Sequence, residues 1–464
     1  MNAELERRVL ACPTLPSLPA VVLEVVRLCR SDESDLRKVA DALASDPALT
    51  ARVLRAANSA SLAARGKVAT LTRAVPLLGS KMVTAIALSF ALVRGRRRDD
   101  GASGFDRAGF WRRAVFAALA GRTLAEGAAP SVDPEEAFIA SLLQDLGMLA
   151  LAEVFSADYG ALCLRAGGDH EALVALERDD WGADHSDVSA LLARSWHFPV
   201  LLQRAVGASH EGPATDVSPP EAQLIECVAL SGRLADMWVA PGRAVPRAAL
   251  EASCARMGFD PAILEVVMAR MALAVPETSA DFDIDLGGPA HVQEVLSEAR
   301  RLLAVLGLAL VGPEPSVEGR EALDRSLEFA LACARRRRER LSLLLLSCDP
   351  SAPASASLAP MVRRLVRSTD LVGAAGPGEV LVLLGGAELD GALAVARRLR
   401  ESATCTLRLE VNVGVATCGP PGGQCHASRT RGALVEAVTS ARPLGYGQVL
   451  ALQDGGGVRR EDLT

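Results

Sequence analysis

The sequence predicts a multidomain chain, with an all-helical N-terminal half followed by a smaller α/β module. Apolar residues recur at helical spacing before about residue 340, and no convincing period-2 strand occurs there. After that point, short apolar runs of strand type alternate with helical segments. The length of 464 residues leaves room for about three domains of ordinary size.

Composition narrows the class of protein further. Half of the residues are hydrophobic, so a large core is available, and the net charge of -6 with 3% aromatic residues argues against nucleic-acid binding. The ten cysteines lack the spacing of a disulfide framework, and we expect reduced thiols and a cytoplasmic location. The longest apolar stretches, Met82–Val93 and Leu302–Val311, are shorter than the ~20 residues of a membrane span.

Helix signals follow one another through the N-terminal half. A helix is predicted over Leu36–Ala44, and the pair Asp46-Pro47 predicts the start of the next one, because proline suits the first helical position. Gly79 interrupts a later apolar run. Further helices are predicted over about Glu221–Trp238, Ala248–Met257 and Pro261–Leu273, which complete a helical domain over residues 1–275.

The stretch Phe138–Ala150 is predicted to be a buried helix that carries one polar pair, Gln144-Asp145. A His-Asp pair in this setting would indicate a metal-dependent phosphohydrolase, in which imidazoles and carboxylates hold an ion that activates water. Gln144 is a poor metal ligand and cannot act as a base near neutral pH. The stretch therefore has the setting of a hydrolytic site without its chemistry.

Several segments in the same order resemble an HDOD domain over roughly the first 275 residues. The segments are 45–60, 71–88, 110–113, 135–147, 181–199 and 205–213. HDOD domains resemble the helical HD phosphohydrolase fold but are generally regarded as non-catalytic signalling modules. The resemblance therefore implies a platform for regulation or protein interaction.

The residues at the HD-type positions support that implication. Arg113 stands where the first histidine is expected, and Gln144 stands in the doublet, whereas Asp145 remains. His185 and His210 fall where further HD-type histidines could lie. One interpretation is a residual metal or ligand pocket. The other, which the substitutions favour, is a hydrogen-bonded core aspartate with two cap or surface histidines, with no catalytic residue, bound metal or cofactor.

A broken acidic segment and a helix of about Val292–Leu310 form a predicted linker over residues 276–317. This helix could pair with a second copy of the chain, so a homodimer stays open at this stage. Beyond it, strands are predicted over Leu341–Ser347, Val380–Leu384, Leu407–Val415 and Gln448–Leu452. With the intervening helices, one of which is expected to end over Leu365–Asp370, they predict an α/β sandwich with a largely antiparallel sheet over residues 318–455, followed by a tail over 456–464.

This second module resembles a GGDEF domain, the fold of diguanylate cyclases. The signature loop corresponds to Gly376, Pro377, Gly378, Glu379 and Val380. The cyclases hold metal ions with carboxylates from the first strand and this loop, but Ser347 occupies the strand position and Gly378 an acidic loop position. Serine cannot replace a charged ligand of Mg²⁺. The resemblance thus implies a catalytically inactive domain.

Arg367 and Asp370 form an RxxD pattern, and Asp370 lies six residues before Gly376. This spacing resembles the inhibitory site of the family, which implies binding of cyclic di-GMP. Arginine suits that ligand because its guanidinium can make paired hydrogen bonds to a phosphate or a guanine. The alternative interpretation is an Arg-Asp pair that caps the end of the preceding helix.

Together these patterns predict a non-enzymatic signal-transduction protein, in which an HDOD platform is coupled to a degenerate GGDEF sensor of cyclic di-GMP. Its partners would be proteins of a signalling pathway, and neither nucleic acid nor membrane is expected. A scaffold that binds no nucleotide is the alternative. An active diguanylate cyclase or a metal-dependent phosphohydrolase is less favoured, because the ligands are missing.

Overall fold

The computed structural model describes residues 3–12, 20–29, 36–58, 68–94, 104–128, 131–214, 216–241, 247–282, 284–305, 317–337, 339–418, 430, 432–436, 439, 448–452 and 458–460. The chain divides into two compact units. The first comprises Met1–Ala125, Ala129–Met257 and Ala274–Gly287, and the second comprises Glu126–Ala128, Gly258–Leu273 and Gly288–Thr464.

The first unit is built from α-helices, as the apolar spacing predicted. Their bounds are α1 Ala3–Leu10, α2 Ala20–Cys29, α3 Leu36–Ala44, α4 Pro47–Ala57, α5 Leu71–Arg94, α6 Arg107–Ala128, α7 Pro134–Leu143, α8 Leu146–Val154, α9 Ser156–Ala166, α10 His170–Trp181, α11 His185–Ser195, α12 Val200–Gly207, α13 Pro219–Val239 and α14 Arg247–Arg256. The last three residues of α6 belong to the second unit, and α15, Ile263–Phe282, contributes residues to both units.

The second unit combines helices with one mixed sheet. Its further elements are α16 Pro289–Val305, α17 Val317–Arg337, β1 Leu341–Ser347, α18 Leu358–Leu365, β2 Leu371–Gly376, β3 Glu379–Gly385, α19 Leu389–Ser402, β4 Asn412–Cys418, β5 Val449–Leu452 and β6 Val458–Arg460. The strand order is β2-β3-β1-β4-β5-β6. The pairing is antiparallel except between β4 and β5, which run parallel.

Aspartate caps fix the starts of the helices that carry the polar cluster described below. The Asp133 carboxylate accepts the backbone N–H groups of Glu135 and Glu136 ahead of α7. Asp169 caps α10 in the same way, and Asp184 forms a reciprocal capping box with Asp187 at the start of α11. Each cap satisfies N–H groups that a helix leaves unpaired in its first turn.

One face of the sheet packs against α18 and α19 to form the core of the second unit. The residues on this face alternate along each strand, as a period of two requires. They include Leu344 and Leu346, Val380 and Val382, Val413 and Val415, and Val449 and Ala451. Leu343 and Leu345 on the other side of β1 are also fully buried, so β1 is covered on both faces and is apolar almost throughout.

Two helix predictions in the first part of the chain need correction. The predicted single helix over Phe138–Ala150 is two helices, because the chain leaves the helical conformation at Gln144-Asp145, where Asp145 has φ -103° and ψ 8°. α15 continues through Pro276 to Phe282, although the sequence predicted a broken linker from residue 276. The predicted interruption at Gly79 is confirmed, with φ 80° and ψ 159°.

In the second unit, the strand predictions over β1, β3 and β5 are confirmed to within two residues. The expected helix end over 365–370 is wrong, because α18 stops at Leu365 and a new strand, β2, begins at Leu371. The alternation over Leu407–Val411 does not form a strand either, and β4 begins only at Asn412. Of the predicted tail, residues 458–460 form β6 and the rest lie outside the described residues.

Two apolar helical stretches are long enough to cross a membrane by length and composition, Leu71–Leu88 and Pro134–Val154. The second is 89% buried inside the protein, as expected of a core segment, and it includes the break at Gln144-Asp145. Eight cysteines among the described residues are outside any disulfide. Cys418 is disulfide-bonded, so the expectation of reduced cysteines does not hold there.

Candidate functional site

Four side chains of the helical unit converge on one point. They belong to Asp145, His170, His185 and His210, and one ligand atom from each lies within 4.8 Å of those of the others. The three imidazole rings are in mutual contact, with centroids 4.7–5.2 Å apart. The sequence predicted three of these residues as possible members of one site and did not predict His170.

Helix ends bring the four residues together. Asp145 precedes α8, while His170 and His185 are the first residues of α10 and α11. His210 lies in the turn that follows α12. Because these four positions lie at helix starts or in a turn, residues far apart in the chain can meet at one point.

A close backbone contact sets the distance between α8 and α11. A Cβ atom on Gly147 would lie 2.0 Å from the carbonyl oxygen of His185, so only glycine allows this approach. The Gly147 N–H donates to Ser189 Oγ at 2.7 Å, and that hydroxyl donates to the same His185 carbonyl at 2.8 Å. These contacts hold Asp145 and His185 side by side.

Glu177 fixes the orientation of the His185 ring. Its Oε2 lies 2.7 Å from His185 Nδ1 and accepts the His185 backbone N–H at 2.9 Å. Its Oε1 accepts the hydroxyl of Tyr159 at 2.8 Å. With Nδ1 engaged in this way, His185 Nε2 faces the cluster, 2.9 Å from His210 Nε2 and 3.5 Å from Asp145 Oδ1.

Arg113 occupies the other side of Asp145. Its guanidinium donates to Asp145 Oδ2 and, at 2.7 Å, to Asp236 Oδ1. A further donor of the same group reaches the Gly232 carbonyl at 3.3 Å. A buried cation thus lies between two carboxylates, while Asp145 Oδ1 is turned toward the three histidines.

Gln144 does not join the cluster. Its amide donates to the Ser141 carbonyl at 3.0 Å and to Ser231 Oγ at 3.4 Å. Ser231 Oγ in turn donates to Ser141 Oγ at 2.9 Å. The carboxamide therefore acts as a buried hydrogen-bonding group between helices α7 and α13.

Charge is unequally divided among the three histidines. Burial acts against a proton on His185, but the Glu177 carboxylate, followed by Asp145, outweighs it and raises the pKa of His185 to about 10. Burial and then the charge of His185 lower the pKa of His210 to about 3. Burial and then Arg113 hold the pKa of His170 well below its usual value.

The carboxylate of Asp145 is ionised. Burial tends to raise the pKa of Asp145, but Arg113 and then the neighbouring histidines outweigh that effect, and the pKa lies well below its usual value. Two buried atoms of the cluster, Asp145 Oδ1 and His170 Nε2, make no hydrogen bond to any part of the described chain. The cluster thus combines one anionic oxygen with imidazole nitrogens, a donor set that could hold a metal ion.

Asp145 is a buried, hydrogen-bonded core residue, as one interpretation expected, and His185 begins a helix, but His185 is completely buried and lies with His210 beside Asp145. His170 was missed, since nothing in its helical segment resembles a ligand motif. The one available signal was composition. The chain has only six histidines, and four of them (His170, His185, His197 and His210) fall between residues 170 and 210 in the helical region.

In the second unit, Asp370 of the RxxD pattern stabilises its own loop. Its Oδ2 accepts the backbone N–H of Arg367 at 2.9 Å, and the residue is 5% exposed. Burial, only partly offset by that hydrogen bond, raises the pKa of Asp370. The side chain of Arg367 is exposed. The Asp370 carboxylate thus stabilises a turn beyond the end of α18, through the backbone and not the side chain of Arg367.

Three other arginines surround the same loop. Arg300 donates to the Ser368 carbonyl at 2.5 Å and Arg398 to the Leu365 carbonyl at 2.8 Å. Arg363 donates to two further carbonyls of the loop. Burial and the neighbouring charge of Arg300 lower the pKa of Arg363 to about 10. The loop is therefore held in a strongly cationic environment.

The predicted signature loop is the tight turn between β2 and β3. Pro377 and Gly378 are its central residues, and Gly378 has φ 67°, the combination typical of a type II turn. The Gly378 carbonyl accepts the N–H of Cys348 at 2.9 Å. Ser347 lies opposite Glu379 in the sheet. Asp349 is exposed, and its carboxylate accepts a hydrogen bond from the Ser351 N–H.

The first unit is a helical domain whose polar cluster lies where helix ends converge. A family model for the HDOD domain matches residues 15–212. Residues 15–212 of the helical unit are therefore an HDOD domain. The amino-acid sequence matches no curated protein.

Solved structures with similarity to the chain come from several bacteria. A "Putative phosphohydrolase" of Shewanella amazonensis SB2B is 25% identical with a TM-score of 0.48, over 61% of this chain and 97% of that one. An HDOD domain protein of unknown function from Geobacter sulfurreducens is 20% identical, TM-score 0.47, over 61% and 97%. The MmoQ response regulator of Methylococcus capsulatus str. Bath is 30% identical, TM-score 0.32, over 52% and 94%.

Proposed function

We propose that this chain is a non-enzymatic signal-transduction protein, in which the HDOD domain serves as a regulatory platform. The observation that carries the proposal is the guanidinium of Arg113 between Asp145 and Asp236. A hydrolytic centre of the HD type needs carboxylates that are free for a metal ion and for water activation. Here one oxygen of Asp145 and both oxygens of Asp236 pair with a fixed internal cation.

Gln144 supports the same conclusion, because its amide is used for packing between helices. It offers neither a base nor a strong ligand. A test is an assay of phosphodiester and nucleotide hydrolysis by the purified chain with Mg²⁺, Mn²⁺ or Zn²⁺. We expect no turnover above that of a His185→Ala, His210→Ala double variant. Turnover that disappears in this double variant would make the protein an enzyme.

We propose further that the second unit is a degenerate GGDEF-like domain without cyclase activity. Support comes from Ser347, which is buried and uncharged at the end of β1, and from Asp349, whose carboxylate binds the adjacent Ser351. Neither supplies the pair of carboxylates that metal-assisted phosphoryl transfer requires. Incubation with GTP and Mg²⁺ should yield no cyclic dinucleotide, and its formation would exclude the proposal.

Binding of cyclic di-GMP at the RxxD loop is a second candidate function of this unit. What favours it is the cationic environment, with Arg367 exposed beside the arginines that hold the loop. What weakens it is Asp370, whose Oδ2 is already used by the Arg367 N–H. The protein would then be a receptor in which ligand binding alters the state of the platform.

Calorimetric titration of cyclic di-GMP distinguishes a receptor from a scaffold that binds no nucleotide. Wild type, Arg367→Ala and Arg364→Ala should be compared, because Arg364 is an equally exposed neighbouring arginine. A receptor binds with micromolar affinity, about -8 kcal/mol, and loses binding only in Arg367→Ala. No heat in wild type excludes the receptor and leaves the scaffold.

A further inference from the structure

We propose that Asp145, His170, His185 and His210 form a binding site for one divalent transition-metal ion. The four residues lie in the described part of the helical unit and contribute one ligand atom each. The proposal does not depend on the signalling function above, since it concerns only what this cluster binds.

The separations of the ligand atoms suit a single ion. Two atoms bonded at about 2.1 Å to one ion lie roughly 3.0–3.4 Å apart when their angle at the ion is about 90–109°. His185 Nε2 is 2.9 Å from His210 Nε2 and 3.5 Å from Asp145 Oδ1. His170 Nε2 is 3.7 Å from the same carboxylate oxygen. The remaining pairs lie within 4.8 Å, so an ion would draw the side chains together by up to about 1 Å around one centre.

Two buried atoms of the cluster make no hydrogen bond within the described part of the chain. Asp145 Oδ1 and His170 Nε2 are buried and accept no hydrogen bond from any described group, and the Asp145 side chain is only 1% exposed. A buried acceptor without a partner opposes folding, and the cost is greater when it is charged. One metal ion in the cluster would satisfy both atoms at once, and it would replace the proton that the raised pKa otherwise leaves on His185, since a histidine ligand must be neutral.

The supporting contacts are those expected around a metal-binding histidine. Such a histidine usually donates its second ring N–H to a carboxylate, which fixes the tautomer and aims the other nitrogen at the ion. Glu177 Oε2 lies 2.7 Å from His185 Nδ1 in this role, and Tyr159 holds Glu177 in place. Arg113 binds Asp145 Oδ2 and leaves Oδ1 directed at the histidines.

The donor set selects the kind of ion. Three imidazoles and one carboxylate suit Zn²⁺ and related transition metals, whereas Mg²⁺ and Ca²⁺ prefer sites made of oxygen. Four protein ligands would complete a tetrahedral shell, which is the arrangement of structural and not of hydrolytic zinc sites. Such an ion would link the starts of α8, α10 and α11 with the turn after α12.

The test uses the full-length chain after removal of metals with a chelator. Titration with Co²⁺, followed by visible absorption, should show saturation at one ion per chain, and Zn²⁺ should displace the Co²⁺ while Mg²⁺ does not. Zn²⁺ should also raise the thermal midpoint, because a ligand that binds only the folded state stabilises it. Absence of saturable Co²⁺ or Zn²⁺ binding by the wild-type chain would overturn the proposal.

Three histidine variants locate the site. His170→Gln and His210→Gln should each weaken Zn²⁺ binding by about 100-fold or more, since changes that only disturb the orientation of a ligand already cost about 10–100-fold. His197→Asn is the matched control, because His197 is exposed and has φ 55°, which asparagine tolerates. The His197→Asn variant should bind Zn²⁺ with the affinity of wild type. Equal affinity in all three variants would place the ion elsewhere and exclude this cluster.

Discussion

Glu177 Oε2 lies 2.7 Å from His185 Nδ1, and both side chains are completely buried. The contact joins the last part of α10 to the first residue of α11 and sets the direction of a histidine in the polar cluster. A carboxylate at this depth is stable only with its donors in place, and it has three: the ring, the His185 N–H and the Tyr159 hydroxyl.

Glu177→Gln should therefore destabilise the chain even though the side chains have the same shape. A carboxamide has one acceptor oxygen, so its NH₂ group would face either the donors of His185 or the hydroxyl of Tyr159. We expect a loss of about 1–3 kcal/mol in the free energy of unfolding, measured by urea denaturation. Glu171→Gln, at a site where the side chain is 50% exposed, should be nearly neutral. Equal losses in both variants would contradict the role assigned to Glu177.

Gly147→Ala tests the close approach of α8 and α11. The added Cβ would lie 2.0 Å from the His185 carbonyl oxygen, so the helices must separate, at an expected cost of about 1–3 kcal/mol. Gly391→Ala in α19 is the matched control, because a Cβ there meets no other group within 4 Å. That variant should be stabilised by about 0.5–1 kcal/mol. Thermal denaturation of both variants gives the comparison, and a neutral Gly147→Ala would show that this contact does not constrain the fold.

Arg113→Met should be strongly destabilising, because it leaves the buried Asp145 and the partly buried Asp236 without their shared cation. Removal of one partner from a buried ion pair costs about 3–5 kcal/mol. The double variant Arg113→Met, Asp236→Asn should recover part of the loss, since one of the two uncompensated charges is gone. Chemical denaturation of the single and double variants measures this coupling. A double variant that is no more stable than Arg113→Met would argue against the network.

The two residues of the RxxD pattern should differ in their effect on stability. Asp370→Ala removes the acceptor of the Arg367 N–H from a buried turn, and we expect a loss of about 1–2 kcal/mol. Arg367→Ala keeps that N–H and removes only an exposed side chain, so the change should stay within about 0.5 kcal/mol. Hydrogen exchange or urea denaturation measures the loss of stability in each variant. If Arg367→Ala lowered stability more than Asp370→Ala, the role of Asp370 in holding this turn would be wrong.

Much of the architecture followed from local patterns in the sequence. The period of the apolar residues separated a helical half from a mixed half, and caps such as Asp46-Pro47 placed helix starts correctly. Patterns failed where tertiary contacts decided the conformation. The alternation over Leu407–Val411 satisfied the strand pattern, but the chain enters the sheet only at Asn412, and the strand at Leu371 was hidden in a short segment that carries two glycines.

What can be known about the candidate site is also divided between the sequence and the tertiary structure. The sequence by itself determined which HD-type groups are missing, because Arg113 and Gln144 are identities that no folding can change. Only the tertiary structure decided that His170 lies beside Asp145, His185 and His210, since these residues come from separate helix ends and have no common local pattern. Residues far apart in the chain converge when the packing of buried helices, such as α8 on α11 at Gly147, fixes where those ends meet.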